Sequence, residues 1–191
     1  MIPTAIRIHG SLMVIGWIFC CTNGIILSRH YKQSWKRKGR RNYEPWLIAH
    51  QVFNSIAVIC SILGTFVIVY FSQDYSNLTP YPVGAHPICG FISTALSLLN
   101  PLIALCRCSP TSSNRTLFNW IHTFVGLTAF SLAVPAIALG LIVLRSTAVK
   151  SSPYSILTVF QGFVILYVIT EMTLEFTDYW MILRERSKSA F

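Results

Sequence analysis

The chain is 191 residues long, 53% hydrophobic and only 11% charged, with fifteen basic against six acidic residues and a net charge of +9. A mean hydropathy of +0.57 argues against a soluble core and matches a multi-pass membrane protein. The positive charge does not indicate nucleic acid, because it gathers beside apolar segments.

Five apolar segments, each near or a little beyond the roughly 17–25 residues that cross a bilayer core, are predicted spans: 11–27, 46–71, 88–105, 117–144 and 155–183. The first is followed by a basic stop-transfer run rather than a small-residue cleavage site, so no cleavable signal peptide is expected. That run, SRHYKQSWKRKGRR (28–41), holds seven of the fifteen basic residues: Arg29, Lys32, Lys36, Arg37, Lys38, Arg40 and Arg41. A basic juxtamembrane connector marks the cytoplasmic side, and His30 reads as part of this solvated charge run. With spans alternating, Arg107, Arg115, Arg184, Arg186 and Lys188 join the same side, leaving Arg7, Arg145 and Lys150 opposite. Twelve against three predicts an outer or lumenal N-terminus and a cytoplasmic C-terminus.

Asn77 in NLT, between the second and third spans, is then an outer-side glycosylation candidate, whereas Asn114 in NRT falls on the inner side, out of a transferase's reach. Cys20, Cys21, Cys60 and Cys89 lie in spans as small apolar packing residues. Cys106 and Cys108, in CRC at the inner end of the third span, read as free thiols, with palmitoylation the alternative. Pro101 and Pro135 are expected to kink the third and fourth helices. Short connectors without repeats or low-complexity tracts predict one transmembrane domain over 1–191. It is an all-α membrane protein whose first four helices form an up-down-up-down bundle, with a core over 9–144 and a flanking fifth helix over 155–183.

The four remaining histidines each lie near the start of a span: His9 in IHGSLMVIGW, His50 in WLIAHQVFN, His86 in AHPICGFIS and His122 in FNWIHTFVG. An ionisable residue in such a place needs a functional reason. Because the spans alternate in direction, His9 and His86 fall near the outer face and His50 and His122 near the inner face. In the bundle each same-depth pair sits on diagonal, parallel helices, too far apart for direct contact but spanned by a flat macrocycle with a central metal, that is, a haem. Two imidazoles on one iron leave no open position, which suits electron transfer. Two pairs predict two haems, one towards each face of the membrane, and four metal-binding histidines. Gly90 and Gly126, each four residues after a histidine, leave room on that histidine's helix face; Met13 and Asn54 occupy the equivalent offsets in the other two helices. Zinc is a poorer match, since two histidines with no carboxylate beside them do not make a tetrahedral site.

These segments resemble the cytochrome b561 family, and within it the ferric-chelate-reductase (stromal cell-derived receptor) branch. The resemblance rests on HGSLMVIGW, the AHQ of the second span, AHPICGFISTALSLLNPLIALCR, RTLFNWIHTFVG and TEMTLEF (170–176), and covers almost the whole chain. It implies two haem b groups, with axial ligation by His9 with His86 and by His50 with His122, and an oxidoreductase of the ferric-chelate or monodehydroascorbate type. It also implies electron flow from a cytoplasmic donor such as ascorbate through the inner and then the outer haem to an acceptor such as ferric chelate. Members of this branch carry reelin-type and DOMON domains before the helical core; eight residues precede His9 here, so a fragment, a short isoform or a stand-alone core is expected. The ascorbate-dependent branch has six spans against five.

About 20 helical residues separate the two histidine depths, or roughly 30 Å at 1.5 Å per residue. An inside-negative potential favours outward electron movement by about 2.3 kcal/mol per 100 mV for a full crossing. The basic connector and Arg115 form a candidate dock for a small anionic reductant, although such charges also set topology and attract anionic lipid. Glu171 and Glu175, spaced i and i+4 near the inner end of the fifth helix, are expected to hold that helix to the bundle or to reach the interface, with proton relay the alternative. Membrane lipid and a second copy of the chain are the remaining expected partners. The alternative function is a non-haem membrane scaffold or receptor subunit.

Overall fold

The structure, a computed structural model, describes residues 4–32, 44–72, 84–148 and 153–189, leaving aside the side chains at 145–148, 153–155, 185, 188 and 189. Among these residues there is no strand. Five helices are long and apolar enough to cross a membrane: α1 (Thr4–His30), α2 (Pro45–Ser72), α3 (Ala85–Leu105), α4 (Arg115–Ala148) and α5 (Pro153–Ser189). Each contains its predicted span and runs further. A hydropathy window stops at the first polar residues, whereas the backbone hydrogen-bond ladder continues into polar turns. His9, Arg29 and His30 therefore lie within α1. Asn77 and the connector residues Lys36, Arg37, Lys38, Arg40 and Arg41 lie outside the described residues.

The helices associate as two antiparallel hairpins, α1 with α2 and α3 with α4, which make the most extensive contacts. Lighter contacts of α2 with α3 and of α1 with α4 close the four-helix arrangement. Small residues permit the close approach. A Cβ at Gly16 would stand 2.9 Å from Cys60 Cβ and 3.2 Å from the Ala57 carbonyl oxygen, so glycine here lets the α1 and α2 backbones meet, as small residues do in membrane bundles. Between α2 and α3 the buried Ser61 hydroxyl meets Thr94 Oγ1 at 3.1 Å, and Ser93 Oγ donates to the Ala129 carbonyl of α4 at 2.8 Å. Trp17, Cys20, Cys21, Ala57, Ala129, Ala133, Ile137 and Phe160 form the apolar centre. Outside it, exposed Phe, Ile, Leu and Val side chains cover the helices, a surface suited to lipid rather than water.

Residues Val14–Cys21 of α1 take π-helical geometry. The Thr22 hydroxyl and the Asn23 side-chain amide donate to the Phe19 carbonyl at the end of this stretch, which also accepts the Thr22 backbone N–H. Helices α3 and α4 continue through Pro101 and Pro135, and both prolines lie on exposed faces. All six cysteines are free; Cys20, Cys21 and Cys60 are buried and Cys106 is exposed.

Helix α5 flanks the bundle, and its C-terminal half is tied to the end of α1. His30 is not part of a solvated charge run. Its side chain is only 2% exposed, with Nδ1 2.8 Å from Asp178 Oδ2 and Nε2 3.0 Å from Glu171 Oε2. Carboxylates accept and do not donate when ionised, so a ring bonded to one at each nitrogen donates twice and is an imidazolium. Arg29 Nε donates to Glu175 Oε1 at 2.7 Å beside it. The helix carries this histidine on past the apolar run and turns it onto α5, which the sequence run of charges conceals. Glu171 and Glu175 thus hold α5 to the bundle.

Candidate metal centres

Three of the four bundle histidines are aimed by a carbonyl of the neighbouring helix in their own hairpin. His9 Nδ1 donates to Gly64 O on α2 (2.9 Å), His50 Nδ1 to Gly24 O on α1 (2.8 Å) and His86 Nδ1 to Ala136 O on α4 (2.7 Å). A carbonyl only accepts, so the ring hydrogen sits on Nδ1 and the Nε2 lone pair stays free for a metal. Asn54 Nδ2 donates to the His50 carbonyl at 2.8 Å and packs beside the ring. His122 differs: its Nδ1 is buried without a fully formed hydrogen bond, and its backbone interaction is with Asn100 of α3.

The histidines then meet between the hairpins, in diagonal pairs and closer than expected: the paired rings make edge contacts rather than standing too far apart to touch. His9 of α1 and His86 of α3 have ring centroids 6.1 Å apart with planes at 89°. His50 of α2 and His122 of α4 are 6.3 Å apart with planes at 64°. Two imidazoles on opposite sides of one metal ion, each bonded at about 2 Å, have centroids about 6 Å apart. Donor type and spacing both fit a bis-imidazole metal group at each depth.

The glycines that matter most here lie on the helix opposite the histidine. A Cβ at Gly64 would stand 2.9 Å from Met13 Cε and 3.6 Å from the His9 carbonyl oxygen, and one at Gly140 would stand 2.8 Å from His86 Cε1. A Cβ at Gly24 would collide with Asn54 Nδ2. These positions carry a readable signal: each lies late in its span, at the depth of a histidine early in the other helix of its hairpin. Of the two glycines expected to make room, Gly90 has no atom within 4 Å of a built Cβ, which keeps the helix face beside His86 open. Gly126 instead receives Asn100, whose Nδ2 would be 2.8 Å from a Cβ there. Its role is helix packing.

Cations surround the end of the bundle that carries His50 and His122. Lys32 Nζ lies 5.2 Å from the centroid of the buried Trp46 ring, Arg107 pairs with Glu44 at 3.6 Å, and Arg115 Nη1 donates to the Cys108 carbonyl at 2.7 Å. Elsewhere among the described residues, ligand atoms of His30, Glu171 and Glu175 lie within 4.8 Å of one another. They are engaged with each other, with Asp178 and with Arg29, and constitute the ion-pair clasp already described.

The family model for eukaryotic cytochrome b561 matches residues 8–146, which include all four bundle histidines. The chain belongs to the cytochrome b561 family. Similar curated proteins include ferric-chelate reductase 1 of Bos taurus, 30% identical over 136 residues that make up 71% of this chain and 22% of that protein. Ferric-chelate reductase 1 of Mus musculus is 27% identical over 175 residues, and that of Homo sapiens 26% over 174; each alignment covers 91% of this chain and 28% of the relative. The chain thus spans about a quarter of the length of these relatives. No solved structure matches it. Cytochrome b561 proteins bind haem b, and membership together with five apolar helices makes the chain a multi-pass integral membrane protein and supports transmembrane electron transfer in general.

Proposed function

We propose that the chain conducts electrons across a membrane on two haem b groups, one held by His9 and His86 towards the outer face and one by His50 and His122 towards the inner face. The observation that carries this reading is the pair of diagonal histidine couples, 6.1 and 6.3 Å between ring centroids, with three of the four rings held as Nε2 donors by backbone carbonyls. When bound, a bis-imidazole haem iron exchanges single electrons without opening a coordination position. The protein's part is to hold the rings and keep the interior dry. Gly64 and Gly140 allow the backbone approaches that orient His9 and His86, and Gly24 does so for His50 through Asn54. Buried Trp17, Ala57, Ala129, Ala133 and Ile137 exclude water from the bundle centre.

The charge asymmetry supports an outer N-terminus and a cytoplasmic inner end, so the donor is a cytoplasmic anionic reductant such as ascorbate. Lys32 and Arg115, at the inner ends of α1 and α4, and the connector cations raise its local concentration. The names of the relatives support a ferric chelate as the outer acceptor, with monodehydroascorbate the other acceptor of this chemistry. Proteoliposomes with ascorbate trapped inside and a ferric chelate outside test the reading. Haem-loaded protein is expected to reduce the external chelate only when ascorbate is enclosed. Fully loaded protein that leaves the chelate ferric contradicts it.

A further inference from the structure

His122 is the exception among the four rings. It lacks the fully formed Nδ1 donation to a carbonyl that fixes His9, His50 and His86, its backbone interaction being with Asn100 alone. One turn before it on α4, Phe118 stacks on it, with ring centroids 5.8 Å apart and planes only 10° from parallel. Arg115, one turn earlier again, places its guanidinium carbon 5.5 Å from the Phe118 centroid and is itself held by donation to the Cys108 carbonyl. Side chains three and four apart on a helix share a face, so Arg115, Phe118 and His122 form a stack running from the inner loop to the ring.

We propose that Phe118, backed by Arg115, is the positioning residue of His122, fixing the plane of its imidazole where the other three histidines rely on a backbone carbonyl. This rests on the haem reading above. A hydrogen bond sets a ring's rotation by pointing one nitrogen at an acceptor; a parallel aromatic neighbour sets it by restricting the plane. The two devices differ in effect. Donation from Nδ1 makes an imidazole a stronger ligand, and the stack does not, so an iron bound at the inner site would be held by one strengthened and one less strengthened histidine. Of the four, His122 is the ring set by an aromatic neighbour stacked on it.

The test uses full-length, haem-loaded protein carrying Phe118→Leu, Phe118→Ala or Phe118→Tyr, with the exposed neighbour Leu117→Ala as control. Its readouts are the haem-to-protein ratio and the low-spin ferric electron paramagnetic resonance signal, whose anisotropy follows the angle between the two imidazole planes. The inner signal is assigned from His86→Ala, which retains the inner site alone. Phe118→Leu keeps apolar volume but not a planar partner. It is expected to retain two haems, leave the outer signal unchanged, and broaden and shift the largest g value of the inner one. Phe118→Tyr restores the wild-type inner signal, and Arg115→Gln gives the leucine effect at smaller amplitude. An unchanged inner signal in Phe118→Leu overturns the proposal, even where Phe118→Ala loses the inner haem, because volume and not planarity then matters. A shift reproduced by Leu117→Ala overturns it too. Wild-type protein without haem refutes the proposed function itself, before any variant is made.

Discussion

The two ends of this bundle, proposed as outer (His9 and His86) and inner (His50 and His122), solve one problem in two ways. At the outer end both imidazoles donate to carbonyls of the adjoining helix, and each approach depends on a glycine across the hairpin. At the inner end one ring is held like that and the other rests on an aromatic stack, while the His30 clasp ties α5 to the same end of α1. A hydrogen bond to backbone is insensitive to side-chain identity beyond the requirement for close approach, whereas a stack depends on one side chain. The outer site is therefore built into the helix packing, and the inner site is open to adjustment by substitution.

The comparison breaks most sharply if the two sites prove inseparable. His86→Ala is expected to lower the haem content from two per chain to one and leave the inner signal, and His122→Ala is expected to do the reverse; loss of both haems from either variant contradicts independent sites. Gly140→Ala drives a Cβ against the His86 ring, 2.8 Å from Cε1. An overpacking cost of about 1–3 kcal/mol and reduced outer-haem occupancy are expected, measured by thermal unfolding and haem content. Gly10→Ala, whose Cβ meets nothing within 4 Å, is its control and leaves both haems in place. His30→Ala leaves Glu171 and Asp178 without their partner and is expected to cost about 2–3 kcal/mol with haem content unchanged; loss of the inner haem would show that the clasp supports the site. Glu175→Gln weakens a pair whose side chains are 64% and 50% exposed, so thermal stability is expected to move by no more than about 1 kcal/mol.

The spans were legible because a bilayer demands long apolar runs, and the alternation of spans sorted the four histidines by depth. Their diagonal pairing followed from helix direction alone, and the structure brings the same partners together. The carbonyls that orient the rings were not legible. Every residue has a carbonyl, and whether Gly64, Gly24 or Ala136 presents one to a histidine depends on helix rotation and separation, which a linear pattern does not encode. His30 was misread because charged neighbours on both sides hid the continuation of α1 and its partners lie 141 and 148 residues away. Gly126 was misread for the opposite reason: a local offset of four residues suggested a role, but the space it leaves is taken by Asn100 from another helix.

The central claim is that paired histidines at two depths hold two haems. Its most direct measurement is the visible spectrum of detergent-purified wild-type protein, combined with haem quantified against protein. Two haems per chain with a six-coordinate bis-imidazole spectrum is the predicted result. Folded, helical protein that is colourless contradicts it.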